Sequence, residues 1–150
     1  MIGKNLGLLG CVAAISACSQ TPGEITRDTE PFSGIASSAA ITAVGNEPFW
    51  NMMVEPDGGG EGEAFTATYS TPENIEGSTF AVKRFAGNNG IGLSGTLDGQ
   101  SVSLALTPGE CSDTMSDRTY PYTATLAIGD TTLTGCAYTS DQPFTGDEAP

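Results

Sequence analysis

The sequence predicts an all-β domain: a small antiparallel meander of about eight strands, closed into a barrel or folded as a sandwich, with one disulfide. Three observations carry this expectation. Short alternating runs recur between turn signals, and no window shows a 3.6-residue apolar period. Two hairpins fall into registers that place their large apolar residues on one face. Two cysteines in the second half of the chain are free to pair. The barrel is favoured over the sandwich because closure removes unpaired edges.

The N-terminus precedes this domain as separate machinery. Lys4 is the one cation in Met1 to Asn5, and Leu6 to Ala17 is apolar or small without charge. That is an export-signal pattern, too short to span a bilayer as a stable helix. Leu8-Leu9-Gly10-Cys11 and Ile15-Ser16-Ala17-Cys18 both resemble a bacterial lipobox, where a small residue precedes a cysteine that becomes lipidated. Cleavage before Cys11 leaves too short an apolar core, whereas cleavage before Cys18 leaves a normal one, so residues 1–17 are read as signal peptide and Cys18 as the lipidation site. An ordinary secretory signal without lipid is the alternative. Ser19, a non-acidic residue after the cysteine, resembles the signal that permits transfer to the outer membrane in Gram-negative bacteria. Residues 18–38 are rich in Pro, Gly, Ser and Thr and read as a flexible tether with a span on the order of 25 Å. Residues 39–139 form the domain, and 140–150 read as a disordered tail.

Within the domain, strands are expected at 39–44, 49–55, 64–70 and 79–85. Asp98-Gly99 is a two-residue hairpin signal that pairs Leu93 with Leu104 and Ile91 with Leu106. Gly129-Asp130, with glycine first, suits a type II′ turn and pairs Leu126 with Leu133 and Tyr122 with Ala137. Cys136 then falls on the outer, threonine-rich face beside Thr123, Thr125 and Thr134. A bulge at Gly135 is the alternative that turns its sulfur inward. Export puts Cys111 and Cys136 in an oxidising compartment. Their disulfide should pin a loop over 107–121 across the last hairpin. Without C-x-x-C spacing, it reads as structural rather than redox-active.

Composition excludes several function classes. The chain has 18 acidic residues, 5 basic ones and a formal net charge of -13. Such a surface repels nucleic acid, whose binding needs phosphate-neutralising cations. It suits a cationic partner, or simply keeps a small protein soluble. Histidine is absent, which removes histidine-based triads and the usual zinc sites. No cofactor or metal site is expected, and no enzyme activity.

The candidate binding residues are Glu47, Trp50, Arg84, Asp113, Asp117 and Arg118. Trp50 with Phe49 could form a platform rimmed by Glu47, although core anchoring is the commoner use of a lone tryptophan. Asp113 and Asp117 could act as an acid–base pair, but in a Ser/Thr-rich loop they more often cap backbone or pair with Arg118. Met115 and Tyr120 are expected to pack this loop down. The Asp57 to Glu63 run lacks EF-hand spacing and reads as a hairpin loop. Gly87 to Gly92 has no helix after it and is no dinucleotide fingerprint. Lys83 and Arg84 are neighbours on a strand, so one points inward. An inward Arg84 beside Ile91 or Leu93 would need a buried carboxylate and would be the best clue to an interior site.

Gly45 to Trp50 (G-N-E-P-F-W), Cys111 to Tyr122 (C-S-D-T-M-S-D-R-T-Y-P-Y) and Gly135-Cys136 together resemble a group of small Gram-negative envelope lipoproteins. The match covers Ile41 to Tyr138. It implies an envelope location, the disulfide and a β-fold, and it brings no activity. Inhibitors of C-type lysozyme are similar only as small exported β-domains, since their characteristic motifs are not evident here. The expected function is therefore an outer-membrane lipoprotein, held by a palmitate-type lipid, whose periplasmic β-domain binds a ligand or partner or maintains the envelope. Inhibition of a cationic enzyme such as lysozyme is the alternative. A carboxylate-dependent hydrolase is the further one.

Overall fold

A computed structural model of the chain describes residues 30–58 and 64–147. Cys18, the signal peptide and the acidic glycine run at 59–63 lie outside the described residues. Eight strands follow one another: β1 (Ile41–Asn46), β2 (Phe49–Pro56), β3 (Ala64–Thr71), β4 (Asn74–Ala86), β5 (Ile91–Leu97), β6 (Gln100–Ser112), β7 (Thr119–Ile128) and β8 (Thr131–Thr139). Each is antiparallel to the next, and β8 pairs with β1 to close a barrel. The sandwich alternative is thereby set aside.

Strand alternation decides what fills the barrel. Ile41, Met52, Val54, Phe65, Leu93, Leu104, Leu106 and Leu126 are essentially inaccessible and form the core. Burying each such side chain contributes roughly 1.5–3 kcal/mol. The interior is therefore filled by side chains, as small barrels allow. Both expected hairpin registers are present, with Leu93 opposite Leu104 and Leu126 opposite Leu133. Asp98 and Gly99 both take positive φ, as a type I′ turn demands, and Gly129 takes φ 55° at the first turn position. Pairing through Ala124–Gly135 and Thr123–Cys136 is unbroken, so no bulge at Gly135 turns the cysteine inward.

Several boundaries differ from expectation, and β1 runs over Ile41–Asn46 rather than 39–44. Strand β4 begins at Asn74 rather than Thr79, because Thr71 pairs with Asn74 and Tyr69 with Ser78 across a tight turn. Its first residues are exposed or half-buried and mostly polar, with Ile75 the lone large apolar side chain, so no apolar alternation marks them. The loop expected over 107–121 is mostly hairpin: β6 continues to Ser112 and β7 starts at Thr119, leaving 113–118 as the tip. One extra residue between Pro108 and Cys111 bends β6 there.

The tether read over 18–38 stops being a tether before residue 39. Ile35 and Ala39 join the core, and Phe32 is half-buried against it. This strap crosses the barrel mouth at the start of β1, with Phe32 N–H donating to Gly87 O at 2.7 Å. The tail expected to be disordered over 140–150 is likewise held in its described part, 140–147. Thr119 and Thr145 exchange backbone hydrogen bonds of 2.8 and 2.9 Å, and Gln142 Nε2 donates to Gly34 O at 2.7 Å. Isolated apolar side chains in a polar segment show no period, yet each fills a place on the barrel.

Candidate functional site

The β6–β7 hairpin outruns the barrel. Strand β8 stays beside β7 only to Ala137 and pairs with β1 from Cys136 to Thr139. The tip of β6–β7 is thus released to lie across the outer faces of β8 and β1. The Cys111–Cys136 disulfide, with Cα atoms 5.6 Å apart, fastens it there. Cys136 is on the outer face as expected, and it is nonetheless buried because the hairpin covers it. Tyr120 packs against Tyr138 and Phe144, with ring centroids 6.2 and 5.6 Å away. The lone aromatic of the polar tail, Phe144, is what completes this aromatic trio. It also lies under Arg118, whose guanidinium carbon is 4.4 Å from the ring centroid.

Asp113 shapes the tip. Its Oδ1 accepts from Met115 N–H at 3.1 Å and Ser116 N–H at 2.9 Å. Its Oδ2 accepts from Ser116 Oγ at 2.7 Å and the Tyr120 hydroxyl at 3.1 Å. Burial pushes this carboxyl up, but the hydrogen bonds from Ser116, Met115 and Tyr120 together outweigh it and leave its pKa lowered. Burial pushes the Tyr120 hydroxyl up. Between cap and turn, Thr114 is held at φ 60°, a left-handed conformation costly for a β-branched residue. Asp113 is thereby a cap. Four donors occupy its two oxygens, while Asp117 is exposed. Met115 is 66 % exposed, so Tyr120 alone of the two expected residues packs the loop down. Arg118 turns to Phe144 and donates from Nε to Asp147 O at 3.4 Å.

A groove runs between this clasp and the barrel wall. One part, about 600 Å³, is lined by Val44, Asn46, Glu47, Asp113, Thr125 and Cys136 among others. The other, about 430 Å³, adds Phe49, Asn51, Ser70, Pro72, Ile75, Arg118 and Tyr120. Both share Val44 to Asn46 and Asp113, so they are neighbouring stretches of one surface. The β1–β2 turn, with its cis Glu47–Pro48 bond, and the β3–β4 turn form the far end. Phe49 is 52 % exposed there and Ile75 82 %. Glu47, Glu73 and Glu76 are exposed around them. Ile75 carried no signal in the sequence, because it belongs to the part of β4 that lacks alternation.

Trp50 is only 4 % exposed and packs with the core as an anchor, and it also lines the second stretch of the groove beside Phe49. Its indole lies over Gly45 and Gly135, where an added Cβ would meet ring atoms 1.9 and 2.9 Å away. Glu47 lines the neighbouring stretch. Arg84 is inward, opposite Leu93, but sits at the strap mouth at the other end from the groove's turns, and among the described residues a carbonyl takes the place of the expected carboxylate. The six candidate residues thus divide. Glu47, Asp113 and Arg118 line the groove, the largely buried Trp50 lines it from the core side, Asp117 is exposed, and Arg84 faces the interior. Among the described residues, no group of His, Cys, Asp and Glu could hold a metal ion.

Against known proteins, no family model matches the chain, and neither a curated protein nor a solved structure does.

Proposed function

We propose that this chain is an envelope lipoprotein, anchored through Cys18 in the outer membrane, whose non-catalytic periplasmic β-domain binds a cationic partner in the clasp groove. The observation that carries this reading is the groove itself. It is external, walled by a disulfide-held hairpin, and combines exposed Phe49 and Ile75 with a carboxylate rim. The filled barrel interior points the same way, since a carrier barrel of this size would keep a cavity. The chain reaches the barrel at the strap end, and the Phe49–Ile75 end is opposite. An N-terminal lipid would leave that end facing away from the membrane. Negative charge would speed capture of a basic protein.

Two experiments test the two halves. Palmitate labelling should mark the wild type and not Cys18→Ala; equal labelling of both defeats the anchor. For the groove, C-type lysozyme serves as the cationic probe, and binding is measured by titration with the wild type and with the Phe49→Ser, Ile75→Ser pair. Micromolar binding that the paired variant weakens by about tenfold supports the groove. Unchanged binding places any contact elsewhere. The same titration, run with an activity readout, tests the inhibitor reading that the chain's acidity favours.

A further inference from the structure

The strap end of the barrel carries a second site. Arg84 projects inward at the end of β4, next to Leu93 and the core. Its Nη2 donates to Ile35 O at 2.7 Å. Its Nε is buried and has no hydrogen-bond partner among the described residues. Burial lowers the pKa of this guanidinium, and no carboxylate offsets it in the described structure. A carbonyl oxygen satisfies one N–H and neutralises no charge. A planar guanidinium fork is completed by a carboxylate, which takes two parallel N–H bonds.

Other donors converge beside it. Gln142 Nε2 donates to Gly34 O at 2.7 Å. The Tyr122 hydroxyl donates to Gln142 Oε1 at 2.8 Å, with Gly34 O 3.2 Å away. Side chains from β4, β7 and the tail thus meet two consecutive carbonyls of one segment. That segment belongs to no strand. Ile35, 3 % exposed, fills the mouth from the same residue that faces Arg84. An apolar group joined to an oxygen acceptor is therefore what this mouth is shaped to hold. Ile35 supplies both, with a carbonyl oxygen that carries no charge.

We propose that the strap occupies a binding site for an apolar carboxylate of the fatty-acid class, and that such a ligand exchanges with it. The carboxylate takes the Nε and Nη2 edge of Arg84, and the first carbons of its chain replace the Ile35 side chain. The filled barrel below limits entry to the mouth. Release of the strap breaks no strand pairing.

The test uses the secreted full chain carrying Cys18→Ser, so that no covalent lipid competes. Decanoate and decanol are titrated calorimetrically, each below its aggregation limit. Decanoate should bind more tightly than decanol by about tenfold or more. Ile35→Ala weakens the strap and should tighten decanoate by about tenfold, because a larger fraction of the protein is open to the ligand. Arg84→Gln should erase the preference for the acid over the alcohol. If that variant does not fold, Arg84→Lys keeps the charge, loses the fork and should reduce the preference. Amide exchange over 31–39 should rise when decanoate binds. Equal affinity for acid and alcohol, or no decanoate binding even by Ile35→Ala, overturns the proposal.

Discussion

Asp113 and Trp50 illustrate how single residues are placed. Asp113 accepts from two backbone N–H groups and two hydroxyls, so its ionised form holds the clasp tip. Asp113→Ala should cost about 1–3 kcal/mol, read from urea midpoints. The lowered pKa sets the sign of the pH effect. A depressed carboxyl stabilises fully above its unfolded pKa, and that stabilisation is lost as pH falls through the folded value. The wild type should therefore lose more stability than Asp113→Ala on moving from neutral pH into acid. A parallel loss in both would remove Asp113 from the account. Trp50 is large, buried and fitted over two glycines. Gly45→Ala should destabilise by driving a methyl into the indole, and Trp50→Ala by about 3–5 kcal/mol from the cavity left behind. Thermal unfolding of each variant measures both.

At the scale of elements, the clasp depends on one covalent bond. Cys111 and Cys136 are 25 residues apart, and closing a loop of that length stabilises by roughly 3 kcal/mol in the chain-entropy model. Cys111→Ser with Cys136→Ser should lower stability by about that amount. It should also raise amide exchange at 111–120 more than at β5 and the barrel half of β6. Uniform exchange would mean that clasp and barrel open as one unit. The tail reinforces the same hairpin through Phe144 and Thr145. Phe144→Ala should accordingly loosen Tyr120 and uncover Arg118. The sequence predicts a loop over 107–121, most of which is hairpin in the structure. Proline at 108 and glycine at 109 read as a break, whereas the ladder resumes at Cys111 opposite Tyr120 after one extra residue.

For the whole molecule, the meander order makes most pairings local and leaves one distant closure, Ile41 with Thr139. Strap and tail both gather at that closing end, where Gln142 ties Gly34 and Tyr122 together. The groove's far turns occupy the other end. One end is thus held shut by the chain's own termini, and the other presents apolar side chains among carboxylates. High salt should weaken capture of a basic partner at the groove, because exposed charges are screened beyond about 10 Å at moderate ionic strength. Titration at two salt concentrations checks this.

Alternation and turn chemistry were sufficient for the all-β class, the two hairpin registers and the outward placement of Cys136. Each follows from contacts between residues near in sequence, where a two-residue turn dictates which side chains share a face. The burial of Ile35 at the barrel mouth, the turn of Arg118 toward Phe144, and the carbonyl facing Arg84 were not legible. Those are meetings between distant segments, decided only when β8 leaves β7 for β1 and the barrel closes. Closure is a three-dimensional event: it frees the β6–β7 tip to cross the outer wall, and it leaves a mouth that isolated residues such as Ile35 can fill.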